Sequence, residues 1–238
     1  MARAIGLGVL FGVGMIFGVV LAPLIFLFSL VRGLRAFHPR GMICRANLVA
    51  LDPDVGARLA GSARIRLSGS TGDENSAVQT VLGMAIKTDA GQDLPLATFE
   101  SFLKLGSATK NTIIADYLAN QYASVTPWHV RGLGIVWLRA VPSAPASGTG
   151  SRVERLDAAI KSGQATFVLE ARDAAGATAA VRIKVAEIHI TERLADDDPS
   201  FTISMFHTAA GFVPTGVRNG IRVIVYPTSQ LARRLRGG

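Results

Sequence analysis

The chain has 238 residues, 49% of them hydrophobic, with 25 Lys+Arg against 17 Asp+Glu and a net charge of +8 at pH 7 (pI about 10.4). That length suits one domain of ordinary size with a core to match, and the single Cys44 excludes an internal disulfide. No nucleic-acid motif or aromatic stacking array accompanies the positive charge, so nucleic acid is not an expected partner and a basic surface beside an anionic membrane is the simpler account.

The apolar residues concentrate at the front. Residues 4–31, AIGLGVLFGVGMIFGVVLAPLIFLFSLV, carry no charge and are bounded by Arg3 and Arg32. About 20 apolar residues suffice for a helix to cross a bilayer, so this run spans one with tilt to spare. A cleaved signal peptide would have an apolar part of roughly 7 to 15 residues ending at a small-x-small site. The one candidate site, around Ala22, is followed at once by Pro23, and the apolar run continues past it. Residues 1–32 are therefore expected to be a single-pass transmembrane anchor, with 33–238 as the following domain. Gly8, Gly12, Gly14 and Gly18 form small-xxx-small spacings. These either let another transmembrane helix of a partner approach closely or reflect only the frequency of glycine in such helices. Arg32, Arg35, Arg40 and Arg45 follow the segment against Arg3 before it. That bias favours a cytoplasmic domain on a bacterial inner membrane.

Residues 33–238 read as one α+β domain. Strands are expected at 64–68, 81–88, 128–141, 165–172 and 179–190 from β-branched alternation, with DAAGA (173–177) as a hairpin turn. Helices are expected at 94–105, 109–123, 152–161 and from about 215 onward, and residues 142–151 form a surface loop. There is no internal repeat, and no GxGxxG, P-loop, CxxC or HExxH motif.

Three places carry candidate chemistry. In RAFHPRG (35–41), His38 follows Arg35 by three residues. It could serve as a general base or metal ligand, although a lone histidine is more often structural. In IRLS (65–68), Arg66 and Ser68 share one face of a strand. A buried face would require an anion and a hydroxyl partner there, whereas an exposed polar face would require nothing. In RVIVYPTSQLARR (222–234), Arg222 and Tyr226 stack one helical turn apart and Arg233 lies two turns beyond the tyrosine. A phenol has a pKa near 10, so it ligates ferric iron well only where an adjacent cation favours the phenolate. Tyrosine holds haem iron in catalases. His129, His189 and His207 are scattered, share no ligand spacing and are expected to be structural.

Taken in order, these segments resemble the haem catalases. RAFHPRG resembles the segment around the distal histidine, IRLS the V-R-F-S strand, and GMAIKTDAGQDL (83–94) the R-G-F-A-V-K-F-Y-T-x-x-G-x-W-D-L stretch that follows. RVIVYPTSQLARRL resembles the R-x-x-x-Y-P helix of the proximal tyrosine. PTGVRNGIRVIVY is similar to the P-x-G-x-x-N-x-x-R-x-x-x-Y pattern of short, catalase-related bacterial proteins. The resemblance covers most of residues 33–238 and implies a catalase-like antiparallel β-barrel with surrounding helices, preceded by one transmembrane helix. It implies haem b (iron) as cofactor, Tyr226 as the axial metal ligand and Arg222 as its cation. Arg35, Arg66 and Arg233 would hold the propionates. His38 would be the distal acid/base, oriented by Ser68.

The chain also departs from the family. DLPLATFE (93–100) stands where catalases have D-L-V-G-N-N-T-P, so the distal asparagine falls on Ala97 or Thr98. The segment that stacks a phenylalanine on the haem has no counterpart, nor do the large wrapping and C-terminal domains. The resemblance therefore implies a membrane-anchored peroxidase acting on hydrogen peroxide or organic hydroperoxides rather than a fast dismutase. The alternatives are a fatty-acid hydroperoxide lyase or dehydratase, and a catalase-like scaffold with little turnover serving as accessory subunit of a membrane protein complex.

Overall fold

The computed structural model of the protein describes residues 2–34, 38–71, 76–100, 104–144, 149–173, 182–196 and 201–236. Helix α1 (Ala2–Arg32) leads into four strands, β1 (Gly41–Ala50), β2 (Gly61–Gly69), β3 (Leu82–Thr88) and β4 (Asp93–Ala97). Then come α2 (Leu105–Asn111), β5 (Tyr122–Ala123), β6 (Trp128–Val130), β7 (Gly134–Pro142) and α3 (Arg152–Lys161). β8 (Thr166–Asp173), β9 (Arg182–Asp196), β10 (Phe212–Pro214) and α4 (Gly216–Leu235) complete the chain.

The strands pair antiparallel in the order β7-β5-β4-β3-β2-β1-β9-β8, and a β7–β8 ladder from Val136 to Pro142 closes them into an eight-stranded barrel. β6 and β10 extend outward from β7. Closure removes the free sheet edges. Period-2 alternation fills the interior: Met42, Cys44, Ala46 and Leu48 from β1, Ile65 and Leu67 from β2, Leu82, Met84 and Ile86 from β3, and Phe167 and Leu169 from β8 are all buried in one cluster. The Tyr122 and Phe167 rings meet edge to face with centroids 5.9 Å apart.

Several expected elements hold. α3 matches residues 152–161, where Ser151 and Glu154 form a reciprocal capping box, and α4 begins at Gly216 as expected. The strands expected at 64–68, 81–88, 165–172 and 179–190 correspond to β2, β3, β8 and β9. The turn expected at 173–177 lies outside the described residues beyond Asp173.

Others are corrected. Residues 94–105, expected to be helical, begin inside β4, because Leu94 and Leu96 alternate into the core and the pairing with β3 overrides helix propensity. The helix expected at 109–123 is replaced by the end of α2, a 3-10 turn at Tyr117–Ala119 and β5. There the Asp116 carboxylate accepts from the Leu118 amide, and the Asn120 side chain bonds both backbone groups of Ile113; such local bonds compete with a helix. The strand expected over 128–141 is a hairpin, β6 and β7, folded at 131–133 with Gly132 and Gly134 at φ of 91° and 77°. β1 has no counterpart among the expected strands, although its Met42-Cys44-Ala46-Leu48 alternation is in the sequence.

α1 is long and apolar enough over Ile5–Arg32 to cross a membrane. It lies in parallel along α4, and the close approach uses the glycines. A Cβ on Gly14 would run into the Val217 carbonyl, and one on Gly18 would sit 2.8 Å from Ile224 Cβ. Gly220 faces back onto Phe11 and Met15. Gly14 and Gly18 are thus packed within the chain, while Gly8 and Gly12 face open space.

Phe167 is fully buried, so Phe167→Ala should cost about 3–5 kcal/mol. That corresponds to a fall of roughly 10 °C in the thermal midpoint of the full chain, followed by circular dichroism. An unchanged midpoint would remove the ring from the barrel core.

Candidate functional site

The outward face of the barrel at β1–β4 carries the candidate site. The register pairs Gly41 with Ser68, Ser68 with Gly83, and Gly83 with Ala97. Four strands thus set Gly, Ser, Gly and Ala side by side in a row of very small side chains, all buried. The next outward row places Arg66 between Ile43 and Ala85. As expected, Arg66 and Ser68 share one face, and that face is buried, at 5% and 3% exposure.

His38 lies over this floor. The Ser68 hydroxyl and His38 Nδ1 are 3.1 Å apart, and Arg66 Nη2 donates to the His38 carbonyl at 3.1 Å. The His38 backbone is held at a φ of 54°, the left-handed region that costs a non-glycine residue about 1–2 kcal/mol and that clusters at functional sites. A Cβ on Gly83 would fall 2.7 Å from His38 Cε1 and 2.9 Å from Nδ1, so only glycine leaves room for the ring. A Cβ on Gly41 would fall 2.8 Å from Ser68 Cβ and 2.9 Å from Arg66 Cζ. His38 is part-buried. That burial, followed by the positive charges of Arg66 and Arg222, lowers its pKa from 6.5 to about 4, against the opposite pull of hydrogen bonds to Ser68 and Gly69. The imidazole is neutral at pH 7 and free to accept a proton.

α4 supplies the opposing group. Asn219, Arg222, Tyr226 and Arg233 follow one another along one side of this helix. Tyr226 packs on the core cluster, and Arg233 is buried at 7% exposure. Arg222 Nη1 donates to Asn219 Oδ1 at 3.1 Å rather than to the Tyr226 hydroxyl. Arg218 Nη1 donates to the Val125 carbonyl at 2.8 Å, tying α4 to the segment before β6.

The structure thus bonds His38, Ser68 and Arg66 together, brings Arg222 within electrostatic reach of His38, and sets Tyr226 and Arg233 on the Arg222 helix. Arg35 lies outside the described residues. Of the positions standing for the distal asparagine, Ala97 joins the small-residue floor. Thr98 is committed elsewhere, its hydroxyl bonding Thr112 Oγ1 at 2.8 Å and accepting from the Leu82 amide at 3.0 Å. Of the remaining histidines, His207 Nδ1 is 2.9 Å from the buried Asp93 carboxylate, His189 Nε2 is 3.1 Å from Glu187, and His129 is exposed in β6. A shallow surface groove lined by Lys104, Trp137, Arg139, Glu170 and Arg182 contains none of the candidate residues.

The main chain of this protein superposes on the crystal structure of a fungal catalase with a TM-score of 0.62 at 13% sequence identity. The match covers 84% of this chain and 59% of the catalase, so the chain spans little more than half of that protein. No protein-family model matches the sequence, and no curated protein matches it. The fold is catalase-like.

Three features of the site bear on a haem. The Gly41-Ser68-Gly83-Ala97 row carries no side chain large enough to displace His38 or Arg66. Two buried guanidiniums, Arg66 and Arg233, suit carboxylates. The fully buried Asn219 has an Nδ2 with no hydrogen-bond partner among the described residues. Sequence reading missed the floor and the part of Asn219. The asparagine stands in the quoted N-x-x-R-x-x-x-Y pattern, whereas the floor has no signal before the strands are in register.

Two outcomes follow. Gly83→Ala should push the imidazole off Ser68, so the His38 pKa read by histidine NMR should climb from about 4 toward 6.5 while the unfolding midpoint changes little. For stability, the unfolded chain takes up a proton below pH 6.5 that the folded site resists down to about pH 4. This group's contribution is therefore complete above pH 6.5 and falls by on the order of 2–3 kcal/mol toward pH 4. Urea midpoints of the native chain should decline more steeply over that window than those of His38→Gln.

Proposed function

We propose that this protein is a membrane-attached, haem-dependent peroxidase acting on hydrogen peroxide or organic hydroperoxides. The observation that carries this reading is the neutral His38, seated on Ser68 and Gly83 within electrostatic reach of Arg222 on the helix that bears Tyr226, in a catalase-like barrel. Haem b, when bound, would supply the redox chemistry of peroxide cleavage. Tyr226 would hold the iron, and Arg222, fixed by Asn219, would be the cation one helical turn from it. Arg66 and Arg233 would take the propionates, with Arg35 as a third cation.

The proton work belongs to His38. With Nδ1 engaged by Ser68, Nε2 is the acceptor for a peroxide proton and the donor that returns it to the leaving oxygen. A pKa of about 4 keeps the ring a base at neutral pH. Ala97 gives no amide to polarise peroxide, which favours peroxidase turnover on an added reductant over dismutation. The exposed apolar face of α1 favours lipid hydroperoxides among the substrates, and with them a lyase or dehydratase reaction as the second reading. Product analysis after feeding a fatty-acid hydroperoxide separates an alcohol from rearranged or cleaved products. For the accessory-subunit reading, Gly14 and Gly18 are used within the chain, and Gly8 and Gly12 are the pair left to dock a partner helix. The arginines following α1 favour a cytoplasmic domain.

The ultraviolet–visible spectrum of the detergent-purified protein tests the ligation. A Soret band with high-spin, tyrosinate-type charge-transfer features is expected, lost in Tyr226→Phe. No haem after expression with adequate iron and haem precursor overturns the proposal.

A further inference from the structure

α1 has two unlike sides. One is docked on α4: Gly14 at Val217, Gly18 at Ile224, a buried Ser29–Ser229 hydroxyl pair at 2.8 Å, and Arg236 Nη1 on the Leu30 carbonyl at 2.9 Å. The contacts advance together along both helices, so α1 lies beside α4 for most of its length. The other side is bare. Ile5, Val9, Ile16, Val20, Leu24 and Leu27 are 58–71% exposed, an apolar stripe along the whole helix.

We propose that α1 is an in-plane membrane anchor: it stays docked on α4, lies parallel to the bilayer surface and sinks its bare side into one leaflet without crossing. This rests on the membrane attachment proposed above and not on haem. A docked α1 cannot cross without carrying α4 and its surroundings into hydrocarbon. α4 carries Arg218, Arg222, Arg233 and Arg234, and an arginine at the bilayer centre costs about 2.5–3.5 kcal/mol even by the mildest measure. The irregular segments beside it, such as 125–127 under Arg218, would bring backbone polar groups where lipid cannot satisfy them. Lying flat avoids both costs. The domain then serves as the polar face that an interfacial helix ordinarily carries on itself.

Charge selects the occupant. Residues 1–51 and 199–238, which contain both helices, hold ten arginines and not one of the 17 Asp+Glu. Arg32, Arg234 and Arg236 are exposed at the C-terminal end of the helix pair, and Arg40 is exposed in the segment that follows α1. That unbalanced positive end repels a second copy of itself and attracts anionic lipid, by about 1 kcal/mol per arginine near the surface.

The test uses the full chain with Cys44→Ala as background, bound to vesicles of phosphatidylcholine and phosphatidylglycerol. Ser29→Cys with Ser229→Cys should cross-link on mild oxidation while the protein is vesicle-bound. Separately, single cysteines from Ala2→Cys and Arg234→Cys in sealed vesicles should react with a membrane-impermeant maleimide from the same side. Labelling from opposite sides, with no cross-link in the bilayer, overturns the proposal in favour of a crossing helix that leaves α4. A cross-linked protein that ignores vesicles and is a dimer by light scattering overturns it in favour of a second copy on the stripe. Both readouts are independent of haem, so failure of the anchor and failure of the peroxidase reading are separable.

Discussion

The candidate site depends on the register of four strands. Because Gly41, Ser68, Gly83 and Ala97 fall opposite one another, the outside of the barrel has a patch of very small side chains. The imidazole of His38 lies on that patch with its Nδ1 at Ser68. A slip of one residue in β3 would bring Leu82 or Met84 outward in place of Gly83 and eject the ring. The barrel core enforces the register, since the same slip would empty Leu82, Met84 and Ile86 from the interior. Packing inside thereby specifies chemistry outside.

α4 is the second constraint, because both of its sides are committed. Asn219, Arg222 and Tyr226 lie along one side, with Arg222 bonded to Asn219 and Tyr226 packed on the core, while Val217, Gly220 and Ile224 receive α1. Pro227 interrupts the helix ladder directly after the tyrosine, where its missing amide leaves the Val223 carbonyl without its usual donor. The backing of α1 steadies the helix there, with Ser29 and Ser229 joined beyond the proline. Any movement of α1 at a membrane would be felt first at the tyrosine helix.

Electrostatics draw the two halves together. His38 sits among cations, with Arg66 bonded to its own carbonyl and Arg222 close enough to disfavour its protonation. Such a site holds a base neutral and at the same time attracts anions. Burial does most to keep the ring neutral, and the arginines add to it.

Much of this was legible in the sequence. The uncharged run before Arg32, the alternation that puts Arg66 and Ser68 on one face, the Ser151–Glu154 cap and the turn spacing of Arg222, Tyr226 and Arg233 are local patterns. Each was realised because neighbouring residues along the chain decide it. The tertiary structure decided the rest. Residues 93–97 became a strand because β3 offered a partner, and the small-residue floor exists because four segments from Gly41 to Ala97 align. Gly14, Gly18 and Ser29 of α1 found α4, 200 residues away in the case of Ser229. Composition sets how apolar a helix is. What it lies against, and so whether it crosses a membrane or lies along one, is set only by surfaces that folding brings together.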